Sequence, residues 1–264
     1  MTLALEGRRA LVGGGSQGIG RGSAEALAGH GASVTLLARH SETLESARDS
    51  LPSPAGQHHR FIAVDFASWE DVRGAAGADV AANGPVAVLV NNTGGPSAGP
   101  MHEADPDSFA AAFEQHVLVN QALTGVVAPG MADEGYGRII NIISTSVMTP
   151  IRGLGVSNTI RAAVANWART LAAELGGSGI TVNNILPGYI DTDRLRATNR
   201  RRAELAGVTV EELAASQVAS IPVRRLGTPA DVGAAVAFLA SPEAGYINGV
   251  NLPVDGGRMV SLNA

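Results

Sequence analysis

Short apolar runs alternate with longer stretches of helical period from one end of the chain to the other. The runs at Arg9–Val12, Ser33–Leu37, Arg60–Val64, Val86–Asn91, Arg138–Ile143, Thr181–Leu186 and Gly249–Pro253 read as strands. Between them, Gly18–Gly29, Ser41–Ser50, Ser68–Ala82, a long stretch near Asp107–Met131, Val156–Gly176 and Pro229–Ala240 read as helices. Ser41, Ser68 and Thr228 stand where N-caps are expected. The segment Arg194–Pro222 reads as two short helices inserted before the last unit, a lid over residues 194–222. This alternation is the signature of a parallel sheet wrapped by helices. The expected fold is α/β: one domain over residues 1–264, built on a doubly wound, seven-stranded parallel sheet with helices on both faces. In such a sheet ligands bind at the carboxyl ends of the strands.

The first strand runs into Gly13-Gly14-Gly15-Ser16-Gln17-Gly18-Ile19-Gly20 and then a helix. Gly14 permits the tight turn, Gly18 lets backbone approach a pyrophosphate, and Gly20 lets the helix pack closely on the strand. The helix N-terminus adds free N–H donors and a favourable dipole. The position at the first strand–helix junction makes this a dinucleotide site. The second strand ends Leu37-Ala38-Arg39. An acidic residue there would favour an unphosphorylated ribose, whereas Arg39 offers a fork for a 2′-phosphate, so NADP is expected and NAD remains possible.

Composition narrows the chemistry. There is no cysteine, which removes disulfides, thiolate nucleophiles and thiolate metal sites and fits a cytoplasmic protein. All 19 basic residues are arginine, so Schiff-base and lysine general-base chemistry are excluded. A net charge of -5 argues against nucleic-acid binding. No apolar run approaches the ~18 residues of a membrane helix. Met1 to Arg9 lacks a basic flank followed by an apolar stretch, so no secretory signal is expected. His58-His59 reads as a solvated loop pair with no metal-ligand spacing, and no metal site is expected.

Further motifs follow in order: Asp65-Phe66 after the third strand, Asn91-Asn92-Thr93-Gly94, Ser144 after the fifth strand, and Pro187-Gly188-Tyr189-Ile190-Asp191-Thr192. Arg225-Leu226-Gly227-Thr228-Pro229-Ala230-Asp231 and Val254-Asp255-Gly256-Gly257 complete the series. With the Gly14/Gly18/Gly20 turn, these resemble the short-chain dehydrogenase/reductase family over almost the whole chain, in a divergent branch beside the β-ketoacyl-carrier-protein reductases. The resemblance implies that Gly14, Ser16, Gln17, Gly18, Ile19, Gly20, Arg39, Asp65, Phe66, Asn92, Gly94, Arg161, Pro187, Gly188, Ile190 and Thr192 contact the cofactor. It also implies a carbonyl or alcohol substrate, small or linked to an acyl carrier, and a homo-tetramer or homo-dimer.

The family reduces carbonyls with a serine, a tyrosine and a lysine four residues further on, and an asparagine on a preceding helix. The serine is Ser144. The tyrosine falls thirteen residues later, at Ser157; the lysine position holds Arg161, and the asparagine position holds His116. None of Tyr136, Tyr189 and Tyr246 has a basic residue four positions on. The expected catalytic set is therefore Ser144, Ser157, Arg161 and His116, a degenerate version of the family's. Two readings stay open: an oxidoreductase with another proton source, such as water, His116 or Tyr189, and a cofactor-binding protein without hydride transfer that serves as sensor, scaffold or partner subunit. Arg194, Arg196, Arg200, Arg201 and Arg202 flank the lid and read as a solvated face or a surface for an acidic acyl carrier.

Overall fold

The computed structural model describes residues 4–260; Met1–Leu3 of the N-terminal stretch lie outside it. Seven strands form one parallel sheet: β1 (Arg9–Gly13), β2 (Ser33–Ala38), β3 (Arg60–Ala63), β4 (Val88–Asn91), β5 (Gly137–Ile142), β6 (Ile180–Pro187) and β7 (Asn251–Val254). Their order is β3-β2-β1-β4-β5-β6-β7. The order reverses direction between β1 and β4, and there the carboxyl ends open a crevice. The helices are α1 (Gly18–Gly29), α2 (Ser41–Asp49), α3 (Trp69–Asn83), α4 (Pro106–Phe113), α5 (Val119–Asp133), α6 (Gly155–Leu175), α7 (Asp193–Ala206), α8 (Val210–Ala219) and α9 (Pro229–Ala240). Among the described residues no helix is long and apolar enough to cross a membrane.

The apolar runs account for the two layers of core. Val12, Leu36, Val90 and Ile140 face α1 and α9, while Leu11, Leu89, Ile139 and Val182 face α5 and α6. Helix α1 crosses α9 at the distance of bare backbone. A Cβ on Gly233 would stand 2.3 Å from the Gly22 carbonyl oxygen, so only glycine fits there. Toward the carboxyl end of the second face the apolar rows give way to asparagine. Asn91 Nδ2 donates to Asn141 Oδ1, Asn141 Nδ2 to Asn184 Oδ1, and Asn184 Nδ2 to Asn251 Oδ1, at 2.8, 2.9 and 2.8 Å. The four residues are register partners across β4, β5, β6 and β7. The ladder ties the strand ends that carry the site to one another, with Asn91 Oδ1 left buried and unpartnered.

Three sequence expectations need correction. The stretch Asp107–Met131 is not one α-helix: a π-helical turn, Glu114–Leu118, separates α4 from α5. Ser41 is the first residue of α2 and not its cap; His40 holds that place without a side-chain hydrogen bond. Ser68 and Thr228 do cap, accepting from Asp71 N and Asp231 N. His59 is not solvated. Its Nδ1 accepts from Val34 N at 3.1 Å and its Nε2 lies 3.1 Å from the Pro52 carbonyl, satisfying backbone at the start of β2. Burial keeps its pKa below the usual value, consistent with a lone pair engaged by a backbone donor.

Candidate active site

The turn between β1 and α1 has the form that its glycines require. Gly14 and Gly18 sit at φ 57° and 56°, the left-handed region that side chains rarely enter. A Cβ on Gly20 would lie 2.1 Å from the Gly14 carbonyl oxygen, which sets how tightly α1 returns over the turn. Gln17 occupies the N-cap without a side-chain cap bond, and the first turn of α1 carries no acidic residue. The end of α1 beside Ser16 is therefore left to accept an anion. Asn92 buttresses the turn from behind: its Nδ2 donates to the Gly13 carbonyl at 3.0 Å. Thr192, the N-cap of α7, closes it from above, its Cγ2 3.4 Å from where a Gly18 Cβ would be.

The remaining dinucleotide candidates divide by where their side chains go. Arg39 is exposed at the end of β2 and, among the described residues, has no protein hydrogen-bond partner. Asp65 is exposed after β3, its Oδ1 accepting from Ala67 N. Phe66 and Ile190 are buried at 7% and 5% exposure, and Ile19 packs against the same core, leaving backbone for a ligand. Pro187 ends β6, and Gly188 packs so closely on Asp255 that a Cβ would lie 2.8 Å from its Cα.

At the carboxyl ends of β4 and β5 a second group gathers. Ser144 caps the short 3-10 turn Thr145–Val147, its Oγ accepting from Ser146 N at 3.1 Å. As acceptor there it keeps its own hydrogen to donate. Ser157 and Arg161, four apart on α6, share a helix face. Arg161 Nη1 donates to the Ile142 carbonyl at 2.7 Å, which seats the guanidinium against β5. A point where a Gly95 Cβ would be lies 3.4 Å from Arg161 Nη2 and 2.8 Å from Arg194 Nη2. The two guanidiniums therefore flank the glycine that follows Gly94. His116 reaches the group from the π-helical turn, 2% exposed, with its buried Nε2 unpartnered. Burial, then the charges of Arg161 and Arg194, hold its pKa down to about 2 against the opposing contact with the Gly94 backbone. His116 is thus neutral. Burial, with Arg194 adding, lowers Arg161 to about 10, so it stays charged at neutral pH.

The three tyrosines lie elsewhere. Tyr136 donates its hydroxyl to the Ala240 carbonyl at 2.6 Å, its ring between the guanidiniums of Arg8 and Arg138. Tyr246 is fully exposed. Tyr189 faces Arg258 at 4.6 Å and lines a groove of about 290 Å³ with Ile190, Val223, Arg225 and Asp255. Sequence reasoning placed Arg194 on a solvated face. Arg194 is exposed, as that reading has it, but its guanidinium is not free: it donates to the Gly95 and Pro96 carbonyls at 3.0 and 3.2 Å. One signal was available: Asp191 and Asp193 are both spaced to pair with Arg196, which leaves Arg194 the odd cation.

A glycine turn opening α1 at the switch point of a seven-stranded parallel sheet defines a dinucleotide-binding α/β protein. The enoyl-(acyl carrier protein) reductase family model matches residues 14–258. The chain is 34% identical to the 3-oxoacyl-[acyl-carrier-protein] reductase of Vibrio cholerae, over 96% of this chain and 98% of that one. It is 34% identical to the acetoacetyl-CoA reductase of Shinella zoogloeoides, over 95% and 98%. The L-sorbose reductase of Gluconobacter frateurii, solved with NADPH and L-sorbose, superposes with a TM-score of 0.91 at 30% identity, over 99% and 100%. The chain belongs to the short-chain dehydrogenase/reductase family of NAD(P)-dependent oxidoreductases.

Proposed function

We propose that this protein is an NADP(H)-dependent reductase of a carbonyl substrate that works without the family's tyrosine–lysine pair. The residues fit the cofactor: the turn at Gly14 and Gly18 is a cradle that side chains would fill, α1 presents an uncapped N-terminus, and unpaired Arg39 suits a 2′-phosphate. Gly14, Ser16, Gln17, Gly18 and Thr192 would hold the pyrophosphate, Arg39 and Asp65 the adenosine end, and Arg161, Gly94 and Gly188 the nicotinamide end. When bound, NADPH supplies the hydride that the carbonyl carbon accepts.

The observation that carries the reading is Arg161, fixed by Nη1 on the Ile142 carbonyl two residues before Ser144, its other donors without a protein partner among the described residues. Ser144 donates its hydroxyl hydrogen to the substrate carbonyl oxygen, and Arg161 stabilises the charge that develops there. Neutral His116, its Nε2 unpartnered, is not the acid. Water delivers the proton to the new alcohol. Loss of a dedicated acid costs roughly 10²–10⁴ in rate, ~3–5 kcal/mol, while orientation of the reactants supplies up to ~7–11 kcal/mol. Turnover is therefore slow but not abolished. Helices α7 and α8 form the lid, and the relatives' names support a 3-oxoacyl-type or other small carbonyl substrate. NADPH consumption against a carbonyl panel, run beside a binding titration, tests the reading. Binding without consumption would favour the sensor or scaffold alternative.

A further inference from the structure

We propose that Arg194 selects a substrate bearing a carboxylate beside the reacting carbonyl, a 2-oxo acid on reduction or the matching 2-hydroxy acid on oxidation. The proposal rests on the reductase reading of the same site and names its substrate class.

Two guanidiniums and a neutral imidazole converge at Gly95, and no carboxylate answers them. Among the described residues neither Arg161 nor Arg194 forms an ion pair. The acids nearest in sequence are occupied, since Asp191 and Asp193 both pair with Arg196. Arg161 is anchored by Nη1 alone. Arg194, exposed on α7, keeps both terminal nitrogens on backbone carbonyls, Gly95 and Pro96. Neutral carbonyls are weaker partners for a guanidinium than a carboxylate, which accepts two parallel charge-assisted bonds. An arriving carboxylate exchanges those two contacts for stronger ones. His116 Nε2 is the third element: it is buried and has no partner in the protein. An uncompensated polar atom of this kind costs free energy until a ligand engages it.

The three groups divide a 2-oxo acid between them. Arg161 stands near Ser144 and takes the reacting oxygen; Arg194, on the other side of Gly95, takes the carboxylate one bond away. His116 Nε2 meets the hydroxyl of the alcohol form or a water. A 2-oxo acid holds its two oxygen groups on adjacent carbons, a separation suited to two guanidiniums meeting over one glycine. A neutral acyl chain leaves Arg194 without an anion. A Cβ at Gly95 would meet Arg194 Nη2 at 2.8 Å, a flexible end that can shift, and Arg161 Nη2 at 3.4 Å, an ordinary contact.

The test uses protein loaded with NADP+, which cannot reduce the ligand, titrated by calorimetry with 2-oxobutanoate, its methyl ester and inorganic phosphate. The acid is expected to bind at least tenfold more tightly than the ester, about 1.4 kcal/mol. Arg194→Gln should bring the two within twofold and leave the NADP+ dissociation constant within twofold. Equal affinity for acid and ester in the unaltered protein overturns the proposal, as does a preference that survives Arg194→Gln. Phosphate bound as tightly as the acid, or NADP+ affinity lost in Arg194→Gln, would assign the arginine to a phosphate and also overturn it. Failure of the reductase reading looks different: the acid preference persists while hydride transfer is absent.

Discussion

Arg161 donates from Nη1 to the carbonyl of Ile142 at 2.7 Å, fastening helix α6 to the end of β5 two residues before Ser144. A lysine ammonium could make that bond as well, but would lack the planar fork that leaves further donors unpartnered. The bond fixes α6 against the end of β5, and under the proposed mechanism it also holds the arginine's charge where a carbonyl becomes an alkoxide. The charge is compact with that of Arg194, and both depress His116.

Arg39 is the residue proposed to decide between the two dinucleotides. Its guanidinium is exposed and has no protein partner to surrender, so a bidentate contact to a 2′-phosphate contributes about 1.5–3 kcal/mol. Arg39→Ala should weaken NADPH binding by roughly 10- to 100-fold and leave NADH unchanged. Parallel titrations with both cofactors check it; a retained preference for NADPH would show that another residue reads the phosphate.

The glycine turn separates binding from folding. Gly18→Val meets only the Thr192 methyl at 3.4 Å, so the fold tolerates it apart from the strain of φ 56°. The side chain then fills the phosphate cradle, and dinucleotide binding should fall below detection while the circular dichroism spectrum stays native. Gly20→Ala behaves in the opposite order. Its Cβ would lie 2.1 Å from the Gly14 carbonyl oxygen, so that variant should lose stability first, read as a lowered urea midpoint.

His116 makes stability depend on pH. Its folded pKa, about 2, lies below the ordinary ~6.5 of the unfolded chain. The unfolded chain therefore takes up a proton that the folded protein refuses once the pH drops below ~6.5. The contribution is complete above that value and declines by up to about 1.4 kcal/mol per pH unit between about 6 and 2. His59, also depressed by burial, acts with the same sign. Urea midpoints of the wild type should fall more steeply from pH 7 to 5 than those of His116→Asn. Parallel slopes would mean that His116 is protonated within the fold.

The strand rhythm was legible because parallel strands covered on both faces are short and apolar, and the glycine turn because only glycine accepts its backbone. The π-helical turn was not, since Gln115, His116 and Val117 suit an α-helix equally well; the extra residue is decided by packing around His116. His59 looked solvated because nothing in a loop sequence tells which backbone donor it will meet. Ile190 was grouped with ligand contacts by its motif, yet its side chain is buried against Gly227, where a Cβ would touch it at 2.6 Å. The contacts of Arg194 were not legible. Five arginines on a polar helix read as a solvated face, and only the tertiary fold shows that exposed Arg194 meets the Gly95 and Pro96 carbonyls.

The two serines should separate cleanly. Ser144 keeps a free hydroxyl hydrogen, and Ser144→Ala should cost about 10²-fold in turnover, by analogy with a lost oxyanion donor. Ser157 is too short and too weakly acidic to replace a phenol, so Ser157→Ala should change turnover by less than about threefold, under ~0.7 kcal/mol. The double change Ser157→Tyr with Arg161→Lys should raise reduction if the pocket admits the ring. A wild type that turns over briskly and dies on Ser157→Ala would reveal a serine-based proton route.

Hydride transfer without the tyrosine–lysine pair is tested most directly by NADPH deuterated at the transferable position. The protein is incubated with the labelled cofactor and a panel of carbonyl compounds that includes 2-oxo acids and 3-oxoacyl thioesters, and products are read by mass spectrometry. The account predicts one deuterium on the carbinol carbon of at least one product, formed slowly by the wild type and about 10²-fold more slowly by Ser144→Ala. Saturable NADPH binding with no deuterium in any product would contradict it.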